Sequence, residues 1–186
     1  MQKHVEKRTT RIESRSAVSW PDEVHRVLID ANVRQVGYVP DSGHARLINL
    51  VRADRRMRAI PLTTEEEGVA LAVGAWLGGE RSVLLMQSSG VGNIVNVLGM
   101  VRECRFPLVT LVTMRGEQGE FNPWQVPMGR STPQVLEAMG VSVRRASSAK
   151  EVAPLVAEAF KREQAVAVLV SQGVIGIKSF QEQSDR

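Results

Sequence analysis

Short apolar runs rich in Val, Ile and Leu alternate along this chain with segments of helical period, and few residues are left over between them. Extended runs fall at 35–39, 58–62, 82–86, 108–113, 141–144 and 165–170. A helix capped by Ser19 puts Val24, Val27, Leu28 and Ala31 on one face, and Leu47, Ile48 and Val51 mark a second. Helical period returns over 64–77, 91–101, 132–139 and 149–160. Strands separated each time by a helix join in parallel through crossovers, so the expected fold is α/β: a doubly wound open parallel sheet of about six strands with helices on both faces.

Composition narrows the function classes. A chain of 186 residues, 43% hydrophobic and only 4% aromatic, suits one domain with an aliphatic interior. The formal charge is +4, but residues 1–16 hold five Lys/Arg against Glu6 and Glu13, a surplus of three, which leaves +1 for the rest. The body therefore lacks the basic face of a nucleic-acid binder. No run of 18 apolar residues offers a membrane span, and residues 1–16 lack the apolar stretch of a signal peptide. The single Cys104 and the lack of any Cys/His cluster at ligand spacing argue against a disulfide and a metal site, and for a cytoplasmic setting. The expected division is a flexible basic leader over 1–16, one domain over 17–180 and a tail over 181–186.

Ligands of such sheets bind at the carboxyl ends of the strands. Four segments are expected there: 40–44, 63–67, 87–93 and 114–130. The third, Gln87-Ser88-Ser89-Gly90-Val91-Gly92-Asn93, is a glycine-rich strand-to-helix turn, with neither the G-x-G-x-x-G of a dinucleotide site nor the Gly-Lys-Ser/Thr of a P-loop. The fourth reads as a long irregular loop, a functional or mobile segment, broken by Gly116, Gly119, Pro123 and Pro127. Its Arg115 and Arg130 offer planar forks for phosphate, sulfonate or carboxylate. In the second, Thr64 and Glu67 have capping-box spacing, which by itself accounts for the run Glu65-Glu66-Glu67 at a helix start. The same run begins at a strand end, where one carboxylate can project into the cleft.

Spaced motifs add a family resemblance. Glu65 stands nine residues before Gly74, with Val69-Ala70-Leu71-Ala72-Val73 between, and Met86 to Asn96, Phe106-Pro107-Leu108, Arg115-Gly116-Glu117-x-Gly119 and Met128-Gly129-Arg130 follow in order. Over about 18–170 the chain resembles the pyrimidine-binding domain of thiamine-diphosphate enzymes, and within them sulfopyruvate decarboxylase alpha subunits and the amino-terminal half of phosphonopyruvate decarboxylases. The resemblance implies a decarboxylase of a small 2-keto acid such as sulfopyruvate or a related 3-substituted pyruvate. It implies that Glu65 hydrogen-bonds the aminopyrimidine ring nitrogen and favours the tautomer that activates the cofactor. Pro40, Gln87, Ser88, Gly90 and Asn93 would line the cofactor, Asp41 or Ser42 would handle protons at the reacting carbonyl, and His44, Arg115, Gln125 and Arg130 would face the substrate.

The same resemblance implies an incomplete site. Related enzymes hold the diphosphate through Mg²⁺ on a second domain with a Gly-Asp-Gly…Asn signature, and this chain has no Gly-Asp dipeptide. A beta subunit carrying that domain and its metal is the expected partner, alongside self-association. The segment 121–127 departs from the phosphonopyruvate pattern, which disfavours that substrate, and its Trp124 suits either a narrowed pocket or a subunit interface. A scaffold subunit that keeps the fold without catalysis is the alternative. The two readings part at Glu65.

Overall fold

Six parallel strands form one sheet in the order β2-β1-β3-β4-β6-β5. In the computed structural model residues 19–176 are described; the leader, the tail and the outer ends of the expected domain lie outside the described residues. The strands are β1 (Val33–Tyr38), β2 (Arg58–Pro61), β3 (Arg81–Gln87), β4 (Leu108–Thr113), β5 (Ser142–Ala146) and β6 (Ala165–Val170). Burial follows position. Every residue of the central β4 is buried, whereas no residue of the edge strand β2 is.

The helices are α1 (Trp20–Asp30), α2 (Ala45–Ala53), α3 (Glu65–Leu77), α4 (Val91–Glu103), α5 (Gln125–Ala138), α6 (Ala149–Ala159) and the single turn α7 (Gln172–Ile175). Right-handed crossovers decide which face each one covers. Moves from β1 to β2 and from β5 to β6 run one way along the sheet, and their helices α2 and α6 pack with α1 on one face around Leu28, Leu47, Val51 and Val156. Moves in the opposite sense put α3, α4 and α5 on the other face around Val69, Met86, Ile94 and Leu136. Both faces are therefore covered, as expected.

The break in winding sense creates a crevice. From β1 the chain departs to one face and from β3 to the other, so the carboxyl ends of these adjacent strands part. The register sets Tyr38 beside Leu85 and Gln87 beside Thr113. Asp41, three residues beyond Tyr38, thus arrives level with Gln87 and Thr113.

Two expectations need correction. The loop predicted over 114–130 ends at Trp124, because α5 begins at Gln125 and continues through both prolines. Pro127 sits in the first turn, where its missing N–H has no helical partner in any case, and Pro133 forgoes one interior bond. The capping box is also displaced. Thr64 is the N-cap but makes no side-chain cap bond, and Glu67 Oε2 instead accepts the N–H of Thr63 at 2.8 Å. Ser19 likewise caps α1 only by position, its hydroxyl turning to Asp22.

Helix α3 has an unusual character for a surface helix. It carries Val69, Leu71, Val73 and Ala75 between Ala70, Ala72, Trp76 and Leu77, so that it is apolar around most of its circumference. One side packs so tightly on β3 that a Cβ at Gly68 would lie 2.3 Å from Leu84 Cδ1. The other leaves Leu77 67% and Trp76 47% exposed, with Met100 of α4 39% exposed. Among the described residues no helix is long and apolar enough to cross a membrane.

Candidate active site

Two carboxylates flank the 3-10 turn Ser88–Gly90 that follows β3. Glu65, the first residue of α3, is buried, and Asn93 Nδ2 donates to its Oε2 at 2.7 Å. Its Oε1 accepts no hydrogen bond among the described residues. The carboxylate lies flat against the turn: a Cβ at Gly90 would stand 2.2 Å from Glu65 Oε1 and 2.4 Å from Cδ. Gly90 has an ordinary helical φ of −69°, so this glycine serves close approach and not backbone conformation. Gly90→Ala is expected to displace the carboxylate and to cost about 1–3 kcal/mol of stability, the usual range for overpacking, measurable by denaturant unfolding. The neighbouring Glu66 and Glu67 are exposed.

Asp41 is the second carboxylate. Gln87 Nε2 donates to Oδ1 at 3.0 Å and Thr113 Oγ1 to Oδ2 at 2.6 Å, which ties the β1 loop to the ends of β3 and β4. Gly43 lets the loop fold back, since a Cβ there would meet Thr113 Cγ2 at 2.8 Å and Asp41 Oδ2 at 2.9 Å. Gln87 is itself oriented, its Oε1 accepting from Ser89 Oγ at 2.8 Å and from Gln125 Nε2 at 3.5 Å. Pro40 and Ser42 are exposed beside Asp41, at the mouth of a cleft of about 380 Å³ that Asn49 and Arg52 of α2 also line. A smaller space of about 20 Å³ lies between Asp41, Thr113, Arg115 and Gln172. A further cavity of about 150 Å³, against Trp76, Arg81 and Phe160 at the amino-terminal edge, shares no residue with these groups.

The loop from 114 to 124 is tied down. Arg115 pairs bidentately with Glu120, at 2.7 Å from Nε and 2.6 Å from Nη2, and both side chains are largely buried. Glu120 also accepts the N–H groups of Gly116 and Asn122 and the amide of Gln172. The Arg115 guanidinium and the N–H groups of Asn122 and Gly116 hold the Glu120 carboxyl well below the usual carboxylate range, against the opposing effect of burial. Glu117 accepts from Arg145 and from the N–H of Gln172, while its own N–H donates to Gln172 Oε1 at 3.0 Å. The end of β6 and the β4–α5 loop thus form one hydrogen-bonded unit. At its other end Gly116, with φ 77°, and Gly129 allow contact between the loop and α5, where a Cβ would lie 2.3 Å from Gln125 O and 2.0 Å from Arg115 O, respectively.

Several expected site residues occupy places other than a cleft wall. Ser88 is fully buried; its Oγ accepts the N–H of Arg115 at 3.0 Å, so it anchors the loop from beneath. His44 is fully buried behind Asp41, with Nδ1 3.7 Å from Asp41 Oδ2 and the Trp20 ring edge-on at 6.4 Å. The sequence suggested a cleft residue because a lone His after a loop glycine gives no sign of burial. Burial pushes its pKa down to about 4, with Asp41 opposing, and the ring is neutral near pH 7. Arg130 is exposed on α5 and makes no ion pair in the described chain. Thr113, Glu120, Gln172 and Arg52 were not singled out in the sequence. Only Thr113 carried a signal, as the last residue of a strand.

Among the described residues no His, Cys, Asp and Glu group is arranged to hold a metal ion. The site is a pair of carboxylates at the switch point of a parallel α/β sheet, one with an oxygen left without a partner among the described residues. No family model matches the chain. It is 32% identical over 154 residues to the sulfopyruvate decarboxylase subunit alpha of Methanococcus maripaludis, covering 80% of this chain and 92% of that one. The corresponding subunit of Methanothermobacter thermautotrophicus is 34% identical over 154 residues, covering 80% and 93%. Phosphonopyruvate decarboxylase of Streptomyces viridochromogenes is 39% identical over 112 residues, but those span only 28% of that enzyme. A 2-oxoglutarate:ferredoxin oxidoreductase from Magnetococcus marinus shares the fold, with a TM-score of 0.67 at 15% identity over 86% of this chain and 30% of that one. Fold, site and relatives together define a decarboxylase subunit. The chain belongs to the family of sulfopyruvate decarboxylase alpha subunits.

Proposed function

We propose that this chain is the pyrimidine-binding subunit of a cytoplasmic, thiamine-diphosphate-dependent decarboxylase acting on sulfopyruvate or a related 3-substituted pyruvate. The observation that carries the reading is Glu65: a buried carboxylate, one oxygen pinned by Asn93 and the other unpartnered, lying on a glycine whose Cβ would occupy the same space. Glu65 would meet the edge of the aminopyrimidine ring and hold a proton at its ring nitrogen through Oε1. Thiamine diphosphate supplies the carbon nucleophile and electron sink that loss of carbon dioxide requires. Gln87 and Asn93 would fix the ring's orientation beside Pro40 and Gly90.

Asp41 and Ser42 line the cleft after β1 and would handle protons at the reacting carbonyl, with Asp41 held in place by Gln87 and Thr113. For the anionic tail of the substrate, Arg130, which makes no ion pair among the described residues, and Arg115, which pairs with Glu120 through Nε and Nη2, would serve beside Arg52 of the cleft. Gln125, bonded to Gln87, would connect that end of the cleft to the cofactor wall. Residues 17–180 would act as one domain.

The diphosphate and its Mg²⁺ are assigned to a beta subunit carrying the second domain. The bare apolar side of α3 and α4, with Trp76, Leu77 and Met100, supports a partner there, since it runs back from the helix ends that bear Glu65 and Asn93. Further copies of the chain would join the same assembly. The test is reconstitution: the chain purified alone with thiamine diphosphate and Mg²⁺ is expected to release no carbon dioxide from sulfopyruvate, and the complex with its partner to turn over. Substantial turnover by the lone chain would refute the divided site.

A further inference from the structure

Resting on the reading of Asp41 above, we propose that His44 is a positioning residue for Asp41, its Nδ1–H directed at Oδ2 so that the carboxylate keeps one orientation in the crevice. His44 has no exposed surface, and neither ring nitrogen finds a hydrogen-bond partner among the described residues. Buried nitrogens without partners forfeit their hydration, and an aliphatic side chain of similar size would fill the space between Trp20 and the loop without that loss. Among the described residues, the carboxylate nearest the ring is that of Asp41, with Oδ2 3.7 Å from Nδ1. That separation is just beyond a hydrogen bond, and such contacts commonly tighten when a catalytic site is filled.

The groups facing the Asp41 carboxylate divide by what they contribute. Thr113 and Gln87 donate hydrogen bonds from the ends of β4 and β3, and the Arg115 guanidinium acts on it electrostatically from the loop after β4. All of these lie on the sheet side or beyond it. His44, from the first position before α2, is the group behind the carboxylate. It is neutral, so it orients the carboxylate by its N–H dipole without adding a second positive charge to that of Arg115.

His44 lines none of the cavities that Asp41 lines. Its removal should therefore change turnover and leave substrate binding alone. In the reconstituted complex with sulfopyruvate, His44→Leu is expected to retain or raise the thermal midpoint while kcat falls roughly ten- to a hundredfold and KM stays within about twofold. His44→Asn, whose Nδ2–H stands where Nδ1–H stood, should recover most of kcat although it leaves a gap in the core. A wall-filling role gives the reverse pattern: full kcat for His44→Leu, and a destabilised His44→Asn with no gain in kcat. That pattern would overturn the proposal. Asp41→Asn, measured alongside, separates the two levels. If it disables the complex while His44→Leu does not, the positioning role alone falls; if it leaves kcat intact, the assignment of Asp41 falls and the positioning role with it.

Discussion

Replacing Glu65 by Gln should abolish most turnover of the assembled enzyme while leaving its fold intact. The amide has the size of the carboxylate, its oxygen can still accept from Asn93, and the flat contact with Gly90 is preserved. What it loses is the capacity to hold or release a proton at the free Oε1 position, and loss of a positioned acid–base group typically costs about 10²–10⁴-fold in rate. The measurement is kcat for carbon dioxide release by complexes of equal subunit content and equal thermal midpoint. Full activity would reduce the acidic run to helix-end electrostatics and favour the scaffold alternative.

The second large effect concerns stability. Glu120→Ala removes one partner of a mostly buried pair and strands Arg115, with the N–H groups of Gly116 and Asn122 and the amide of Gln172 losing their acceptor as well. Breaking such a pair from one side costs on the order of 3–5 kcal/mol, because the remaining charge stays out of water. Denaturant unfolding should show that loss, and amide exchange should show the 114–124 loop opening before the sheet. The pH dependence has a definite sign. The folded-state pKa of Glu120 lies below its unfolded value, so the stabilisation is present above the ordinary glutamate range and is lost as pH falls through and below it. The gap in stability between wild type and Glu120→Ala should narrow as the solution is acidified. A gap that does not change with pH would mean that the lost contribution is packing and not charge.

Legibility in the sequence followed how strongly a residue's neighbours in the chain constrain it. Strands β4 and β6 emerged with their boundaries intact, since both are β-branched and aliphatic runs, interrupted only by Thr110 and Thr113 in β4, in the interior of a sheet covered on both sides. Glu65 was singled out from the acidic run only by the family resemblance, which places the activating Glu nine residues before a helix glycine, here Gly74. Helix α5 was foreshortened because Pro127 signals a break, although tertiary contacts through Gly129 hold the first turns in place. The roles of Arg115 and His44 depended on partners that no local pattern discloses. Glu120 lies five residues from Arg115 in an irregular loop, and Gln172 comes from the far end of β6. The burial of His44 follows from where α1 places Trp20, a contact across more than twenty residues.

The uncovered side of α3 and α4 has a consequence for how the protein must be made. With Leu77 and Trp76 about half or more bare and Met100 beside them, a chain produced in excess over its partner presents a sticky face to every other copy in the same state. If the partner covers that face, as proposed, subunit dosage becomes a condition of solubility. Synthesis matched to the partner, or folding at its side, would keep that face from ever meeting itself.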